Sequence, residues 1–233
     1  MRSANILFVV LLLGTASDAS TQTSDVYEHG GARMSPSALI RPVGGSPLNE
    51  QADREVIIAI QDIVDHTGLL LNFSMAESNI PNAMAYMDTT GSRLLLFNPD
   101  FILQIHDRVN HDWGVTSILA HEVGHHLQGH IFLNDAGFYQ RELEADEFSG
   151  FAIYRMGGTL AEAQSVVRQL TVDQDMPTHP GRQTRLAAIA RGWLKAQAIT
   201  AHEAEAAARR TDRERRAGQG HEPSRSGRFE SAR

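Results

Sequence analysis

The segment Ala120-His121-Glu122-Val123-Gly124-His125-His126 decides both the fold and the chemistry of this 233-residue chain. His121 and His125 are four residues apart, so on a helix their imidazoles project from one face, about one turn apart. Two neutral imidazoles at that spacing suit Zn²⁺, whereas Glu122, rotated about 100° from His121, can reach a water molecule beside the metal. The segment therefore predicts a helix that carries two metal ligands, His121 and His125, and a general base, Glu122.

The residues around this motif are strongly apolar. They include Trp113, Val115, Ile118, Leu119, Val123 and Leu127. An imidazole or carboxylate buried among such side chains without a partner is costly, and a bound metal removes that cost. We therefore predict a buried helix that Asp112 caps and that extends to about Phe132.

A third ligand is expected from the stretch Arg141-Glu142-Leu143-Glu144-Ala145-Asp146-Glu147. Glu142 and Asp146 are four residues apart, and two like charges on one helical face destabilise it by a few tenths of a kcal/mol unless a cation lies beside them. Glu142 as the ligand and Asp146 as the hydrogen-bond partner of a ligating imidazole would satisfy both carboxylates. Glu144 remains the alternative ligand.

The two segments together, His-Glu-Val-Gly-His and Glu-Leu-Glu-Ala-Asp, resemble the gluzincin metallopeptidases. The likeness is to the branch with the CAAX prenyl endopeptidases and the bacterial heat-shock membrane protease. It implies a zincin-type catalytic domain with one Zn²⁺ per chain, in which Glu142 binds the metal and Asp146 supports a zinc-bound histidine.

Two weaker matches extend the resemblance. The run Pro81-Asn82-Ala83-Met84-Ala85 is similar to the Asn-Ala strand that these proteases place along the substrate cleft. It implies that Asn82, Ala83 and Met84 bind substrate.

The second weak match is Thr178-His179-Pro180, followed by Arg185. It is similar to a C-terminal segment of the same branch and implies a catalytic His179 close to the zinc and a supporting Arg185 behind it. His179 would either occupy the open metal position or face the developing oxyanion. Three further side chains remain candidates for oxyanion stabilisation: Tyr139, Tyr154 and Arg182.

Hydrophobic periodicity predicts a mainly helical α+β fold with a small antiparallel sheet before the metal-binding helix. The predicted strands are Leu69–Phe73 and a hairpin formed by Asn82–Met87 and Arg93–Phe97. The further predicted helices run from Asn49 to about Asp65, from Phe138 to Met156, from a capping box of Thr159 and Glu162, and from Pro180 to about Ala208.

Composition excludes several classes of protein. The chain has 42% hydrophobic residues, which is typical of a globular protein, and no Cys, so disulfides, cysteine metal sites and a thiol nucleophile are excluded. The net charge of −7 argues against nucleic acid as a partner.

The sequence divides into four segments. Residues 1–19 are expected to be a signal peptide, because Arg2 precedes the apolar run Ile6–Leu13, which is too short to span a membrane. Residues 20–47 are expected to be a flexible leader, residues 48–208 the metallopeptidase domain and residues 209–233 a disordered Arg-rich tail. The mature protein would be periplasmic or secreted, with no transmembrane anchor after signal cleavage.

These features predict a zinc-dependent endopeptidase, with protein or peptide substrates and a role in periplasmic protein quality control. No feature identifies another protein partner. The alternative is a non-catalytic zinc-stabilised binding or chaperone-like module. The base Glu122 argues against that alternative, because a purely structural metal site has no use for it.

Overall fold

A computed structural model describes residues 40–42, 50–109, 113–133, 137–175 and 180–219 of the chain. The fold is mainly helical α+β, as the sequence predicts, with a small sheet that precedes the helix bearing His121. The expected signal peptide lies outside the described residues, as does the expected leader except for residues 40–42.

Within the described ranges the sheet has four strands, β1 (Ile40–Pro42), β2 (Ser74–Ser78), β3 (Ala83–Met87) and β4 (Arg93–Phe97), in the order β1-β2-β4-β3. The predicted hairpin is confirmed, since β3 and β4 pair antiparallel. The sheet as a whole is mixed rather than antiparallel, because β4 returns from the hairpin to lie between β3 and β2 and runs parallel to β2. As a result, β3 forms one edge of the sheet.

One strand prediction and part of the leader prediction were wrong. The strand predicted over Leu69–Phe73 begins at Ser74, and the apolar run before it connects the first helix to the sheet. Leu69 and Phe73 pack against the core while Leu70 is 91% exposed, so the run is apolar without strand pairing. Residues 40–42, expected in the flexible leader, form β1, which pairs antiparallel with β2.

The described residues form seven α-helices. They are α1 (Glu50–Thr67), α2 (Pro99–Val109), α3 (Trp113–Leu127), α4 (Phe138–Arg155), α5 (Leu160–Ala163), α6 (Ser165–Leu170) and α7 (Arg182–Gln219). The predicted capping box is present at the start of α5, where the Thr159 hydroxyl accepts from the Glu162 N–H and the Glu162 carboxylate accepts from the Thr159 N–H. The predicted helix there divides into α5 and α6 at Gln164.

The metal-binding helix ends earlier than the sequence predicts. It stops at Leu127, and Gly129 has a left-handed backbone with φ 71° that starts a 3₁₀ turn over His130–Phe132. Glycine adopts this conformation without steric cost. The predicted cap Asp112 lies outside the described residues.

The main core lies between one face of the sheet and α1, α2 and α3. Ala83, Leu95 and Phe97 contribute from the sheet, and each is fully buried. Alternate residues of the strands, such as Met84 and Leu96, form a second apolar cluster on the opposite face. The core holds α3 against the sheet edge that β3 forms.

The backbones of helices α4 and α7 are in direct contact. A Cβ atom on Gly150 of α4 would lie 2.0 Å from the carbonyl oxygen of Ile189 on α7. Only glycine permits this approach, and it brings the second turn of α7 against α4.

The chain clusters into two units, residues 1–196 and residues 197–233. The described part of the second unit is helical to Gln219, so the disorder predicted from residue 209 is wrong for 209–219. Ion pairs four residues apart, Glu205–Arg209 and Asp212–Arg216, support helix there. No helix in the described ranges combines the length and the apolar character needed to cross a membrane.

Candidate metal centre

Helices α3 and α4 carry the candidate ligands and pack closely at the level of the site. A Cβ atom on Gly124 of α3 would lie 3.1 Å from Cα of Ala145 on α4, which is tighter than nine in ten real Cβ contacts. Gly124 stands one residue before His125, and Ala145 one residue before Asp146. The absence of a side chain at Gly124 therefore lets the polar residues of the two helices meet in the interior.

Three buried side chains converge there: His121, His125 and Glu142. The Nε2 atoms of the two imidazoles are 3.0 Å apart, and each lies 3.5 Å from a different oxygen of Glu142. One ligand atom from each residue lies within 4.8 Å of the others, so the group could hold a metal ion. Two imidazoles and one carboxylate suit a divalent transition metal.

The hydrogen bonding of Glu142 fits a cation at this point. Its Oε2 atom is buried and has no hydrogen-bond partner among the described residues. A buried carboxylate oxygen without a partner is expensive, and a cation between it and the two imidazoles would satisfy it. The structure groups Glu142 rather than Glu144 with the imidazoles.

The first imidazole is held by an ionic chain that we call the Asp146 arm, formed by His121, Asp146 and Arg185. Nδ1 of His121 lies 2.9 Å from Oδ1 of Asp146. The guanidinium of Arg185 donates to both carboxylate oxygens of Asp146, at 2.8 and 2.7 Å. All three residues are buried, and the structure thus brings together both supporting residues expected from the sequence.

The Asp146 arm shifts the pKa values of its members. Burial alone would lower the pKa of His121, but the hydrogen bond and charge of Asp146, followed by the nearby carboxylate of Glu142, raise it to about 10. Burial alone would raise the pKa of Asp146, but the charge and hydrogen bond of Arg185 lower it overall. In the absence of a metal, His121 is therefore the imidazole that carries a proton and a positive charge.

The second imidazole is held by a different chain, the His130 arm, formed by His125, His130 and Glu144. Nδ1 of His125 lies 2.9 Å from Nδ1 of His130, and Nε2 of His130 lies 3.0 Å from Oε2 of Glu144. His130 is buried, whereas the Glu144 side chain is 40% exposed. Burial, followed by the positive charge of His121, lowers the pKa of His125 well below its usual value.

The candidate base Glu122 is fully buried beside these ligands. Its Oε2 atom accepts the backbone N–H of Ala85 at 2.7 Å, and its Oε1 atom has no hydrogen-bond partner in the described part of the chain. Burial raises the pKa of Glu122 to about 8, although the charge of His121 opposes the shift. A small pocket adjoins Glu122 and His121, lined by Asn82 and Arg185 and by apolar residues that include Val166.

The register of β3 and β4 determines which backbone groups of β3 face the sheet edge. The Asn98 N–H donates to the carbonyl of Asn82 at 2.9 Å, and antiparallel ladders alternate, so Met84 also directs its backbone groups toward β4. Ala83 and Ala85 direct theirs toward the edge, in agreement with the Ala85–Glu122 hydrogen bond. The Met84 side chain is only 1% exposed, on the opposite face, so the structure does not support the substrate role predicted for Met84.

The remaining predicted site residues have partners outside the metal centre or lie outside the described residues. The residues outside the described ranges are Thr178 and His179. The three further oxyanion candidates have other partners: the Tyr139 hydroxyl donates to Asp175, the Tyr154 ring packs on Trp193, and Arg182 contacts Thr171 and Asp173.

Sequence reasoning missed the contacts of His130 and Glu144. It assigned no contact to His130 and considered Glu144 only as the alternative ligand. The available signal was Gly129, which precedes His130 directly and can end a helix. The Ala85–Glu122 hydrogen bond had no signal in the sequence, because it depends on where the sheet edge meets α3.

This chain matches no family model, no curated protein and no solved structure with which it was compared. The resemblance to the gluzincins thus stays a prediction from the motifs. The arrangement itself, a buried His121-His125-Glu142 group that could bind a metal ion, is a property of the fold.

Proposed function

We propose that the chain is a zinc-dependent endopeptidase that hydrolyses peptide bonds in protein substrates. The observation that carries this proposal is Glu122, a buried carboxylate next to a candidate three-ligand metal group, with one oxygen on the β3 edge and the other without a hydrogen-bond partner in the described residues. A site that only stabilises the fold has no need of such a group. Zinc is proposed because two imidazoles and one carboxylate form a three-ligand set typical of catalytic zinc.

His121, His125 and Glu142 would hold the ion, which when bound supplies a Lewis acid that polarises the scissile carbonyl and acidifies water. Glu122 takes a proton from the attacking water at Oε1 and later delivers it to the leaving amine. Because burial raises the pKa of Glu122 to about 8, this carboxylate is a stronger base than an exposed one once it is ionised. Positive charge at the adjacent ligands favours the ionised form.

The edge strand β3 provides the proposed path for the substrate backbone. No strand of the described residues pairs with its outer side, and Ala83 and Ala85 direct their backbone groups that way. An extended peptide that pairs with this edge would be recognised mainly through hydrogen bonds to its main chain. This arrangement favours broad specificity for unfolded chains over recognition of one sequence.

The localisation that accompanies this function is also a proposal. The positive residue Arg2 and the apolar run Ile6–Leu13 support export to the periplasm or beyond. Protein quality control is the role that fits broad cleavage in that compartment.

The test is bound zinc per chain together with casein hydrolysis, for the parent and for Glu122→Gln. Glu205→Gln serves as the control, since Glu205 is exposed and lies in the second unit. We expect one zinc in all three proteins and loss of cleavage in Glu122→Gln alone. Zinc without cleavage in any of them would favour the zinc-stabilised binding module, and a folded parent that binds no zinc would overturn the metal centre.

A further inference from the structure

The His130 arm contains two residues for which the proposed function has no role. His130 is 2% exposed, although it lies in a short 3₁₀ turn at the end of the metal-binding helix. Its two ring nitrogens bridge His125 and Glu144, at 2.9 and 3.0 Å. A buried histidine with both nitrogens engaged in this way fixes the position of the ring it contacts.

The protons along this chain can be assigned from the neighbours. The carboxylate of Asp146 only accepts, so His121 donates through Nδ1. The Nε2 atoms of His121 and His125 are 3.0 Å apart. Nε2 of His125 also lies 3.5 Å from Oε1 of Glu142. It is therefore the nitrogen of His125 whose lone pair would face a metal held by the three ligands.

As a ligand, His125 therefore presents a lone pair at Nε2, and as a neutral ring it carries its proton on Nδ1. That proton is donated to Nδ1 of His130, which must be the lone-pair nitrogen of His130. The remaining proton of His130 is on Nε2 and is donated to Glu144. The reverse assignment would place the Nε2 lone pair of His130 against a carboxylate, which is repulsive.

We propose that His130 and Glu144 are positioning residues that fix the tautomer and orientation of the ligand His125 before the metal arrives. Glu144 selects the Nε2–H tautomer of His130, and His130 in turn selects the Nδ1–H tautomer of His125. This inference rests on the metal centre of the proposed function, and it deepens that proposal by assigning the outer support of the second imidazole. Outer-shell partners of this kind generally change metal affinity about 10- to 100-fold when removed.

The position of Gly129 explains why His130 can reach His125. In a continued helix, five residues of separation would place His130 about 140° around the axis from His125. The left-handed backbone of Gly129 ends the helix and turns the chain back toward His125. His130 therefore packs edge-on against His125, with ring centroids 5.1 Å apart. The contact therefore depends on the turn and does not arise from helical neighbours.

The test compares three variants of the full chain after chelator treatment. His130→Leu removes the acceptor with a similar volume, whereas His130→Asn retains a carbonyl oxygen near the place of Nδ1. Glu144→Ala removes the outer carboxylate from a partly exposed position. The readouts are the dissociation constant for Zn²⁺, from competition with a chromophoric chelator, and the visible absorption of bound Co²⁺, which reports ligand geometry.

We expect His130→Leu to raise the dissociation constant about 10- to 100-fold and to alter the Co²⁺ spectrum. His130→Asn should restore most of the affinity, and Glu144→Ala should lose a smaller part of it. A folded His130→Leu with the parent affinity and spectrum would overturn the proposal, as would equal losses in the Leu and Asn variants. If His130→Leu does not fold, parent-like zinc binding by Glu144→Ala is the overturning result.

The outcomes separate this inference from the proposed function. A parent that binds zinc but leaves casein intact would overturn the peptidase and leave the roles of His130 and Glu144 standing. A folded parent without metal affinity would overturn the metal centre itself, and both proposals with it.

Discussion

The Asp146 arm and the His130 arm hold two imidazoles of the same helix, one through a charged partner and the other through a neutral one. The first places a carboxylate against His121 and a guanidinium behind it, all in the interior. The second places a neutral imidazole against His125, with a carboxylate behind it that is 40% exposed. Equal distances, 2.9 Å at each Nδ1 atom, therefore carry unequal interaction energies, because charge and solvent access differ.

As a consequence, the two imidazoles differ in their pKa values and in whether a lone pair is available to a metal. In the metal-free chain the pKa of His121 is raised to about 10, chiefly because Asp146 and Glu142 outweigh its burial, while the pKa of His125 is well below normal. The first ring holds a proton that a metal must displace. The second ring already presents a free lone pair.

The largest expected effect comes from removing the acceptor of the Asp146 arm. Asp146→Ala leaves the buried Arg185 without its partner and should lower the free energy of unfolding by about 3–5 kcal/mol. Glu144→Ala, the matching change in the His130 arm, should cost about 0–1 kcal/mol because the Glu144 side chain is 40% exposed and water can replace it. Urea unfolding of the metal-free proteins measures both, and equal losses would contradict the comparison.

A second prediction concerns the backbone contact that holds the Asp146 arm together. Gly150 is one turn after Asp146, and Ile189 is one turn after Arg185, so Gly150→Ala should push α7 away from α4 at the level of the ion pair. We expect a loss of roughly 1–3 kcal/mol in unfolding free energy. Weaker zinc binding should accompany it, and unchanged thermal unfolding and zinc affinity would show that the close approach is not needed.

The third prediction is the pH dependence of metal binding. Because the pKa of His121 is raised to about 10, this ring is protonated between pH 6 and 8, and binding must displace the proton. The dissociation constant for Zn²⁺ should therefore rise by about tenfold for each unit that the pH falls in this range. Asp146→Asn, which lowers the pKa of His121, should flatten the dependence measured by chelator competition. An equally steep dependence in that variant would show that the proton does not reside on the Asp146 arm.

The smallest effect on the metal is expected from His126, which belongs to neither arm. Its Nε2 atom hydrogen-bonds the carbonyl of Leu94 at 2.9 Å and its ring stacks on Phe73. His126→Leu should cost about 1–2 kcal/mol of stability through the lost hydrogen bond while leaving zinc affinity unchanged. A large loss of affinity in the folded variant would mean that the site depends on the whole histidine cluster rather than on two arms.

Periodicity was sufficient to predict the parts of the site that lie on single helix faces. The spacings of His121 with His125 and of Glu142 with Asp146 are both four residues, and the structure brings all four side chains together. Local turn chemistry was equally sufficient for the capping box before α5.

What the sequence did not predict depends on contacts between distant segments. The parallel pairing of β2 with β4 is not visible locally, because each strand was judged from its own residues. The apolar run Leu69–Phe73 was misassigned, since packing against a core makes a connection as hydrophobic as a strand. Helix α3 was extended past Gly129, and that extension hid the contact between His130 and His125.

The left-handed Gly129 also has a consequence for recognising other chains built in this way. Since the turn sets the spacing, the informative pattern is longer than the five-residue zinc motif: His-Glu-x-x-His, three residues, Gly-His, and later Glu-x-Glu-x-Asp. Each named position in that pattern has a stated contact in the metal centre or its two arms, except the glycine, which supplies the bend. A chain with the short motif but a helix-forming residue in place of the glycine would have to support its second imidazole by other means.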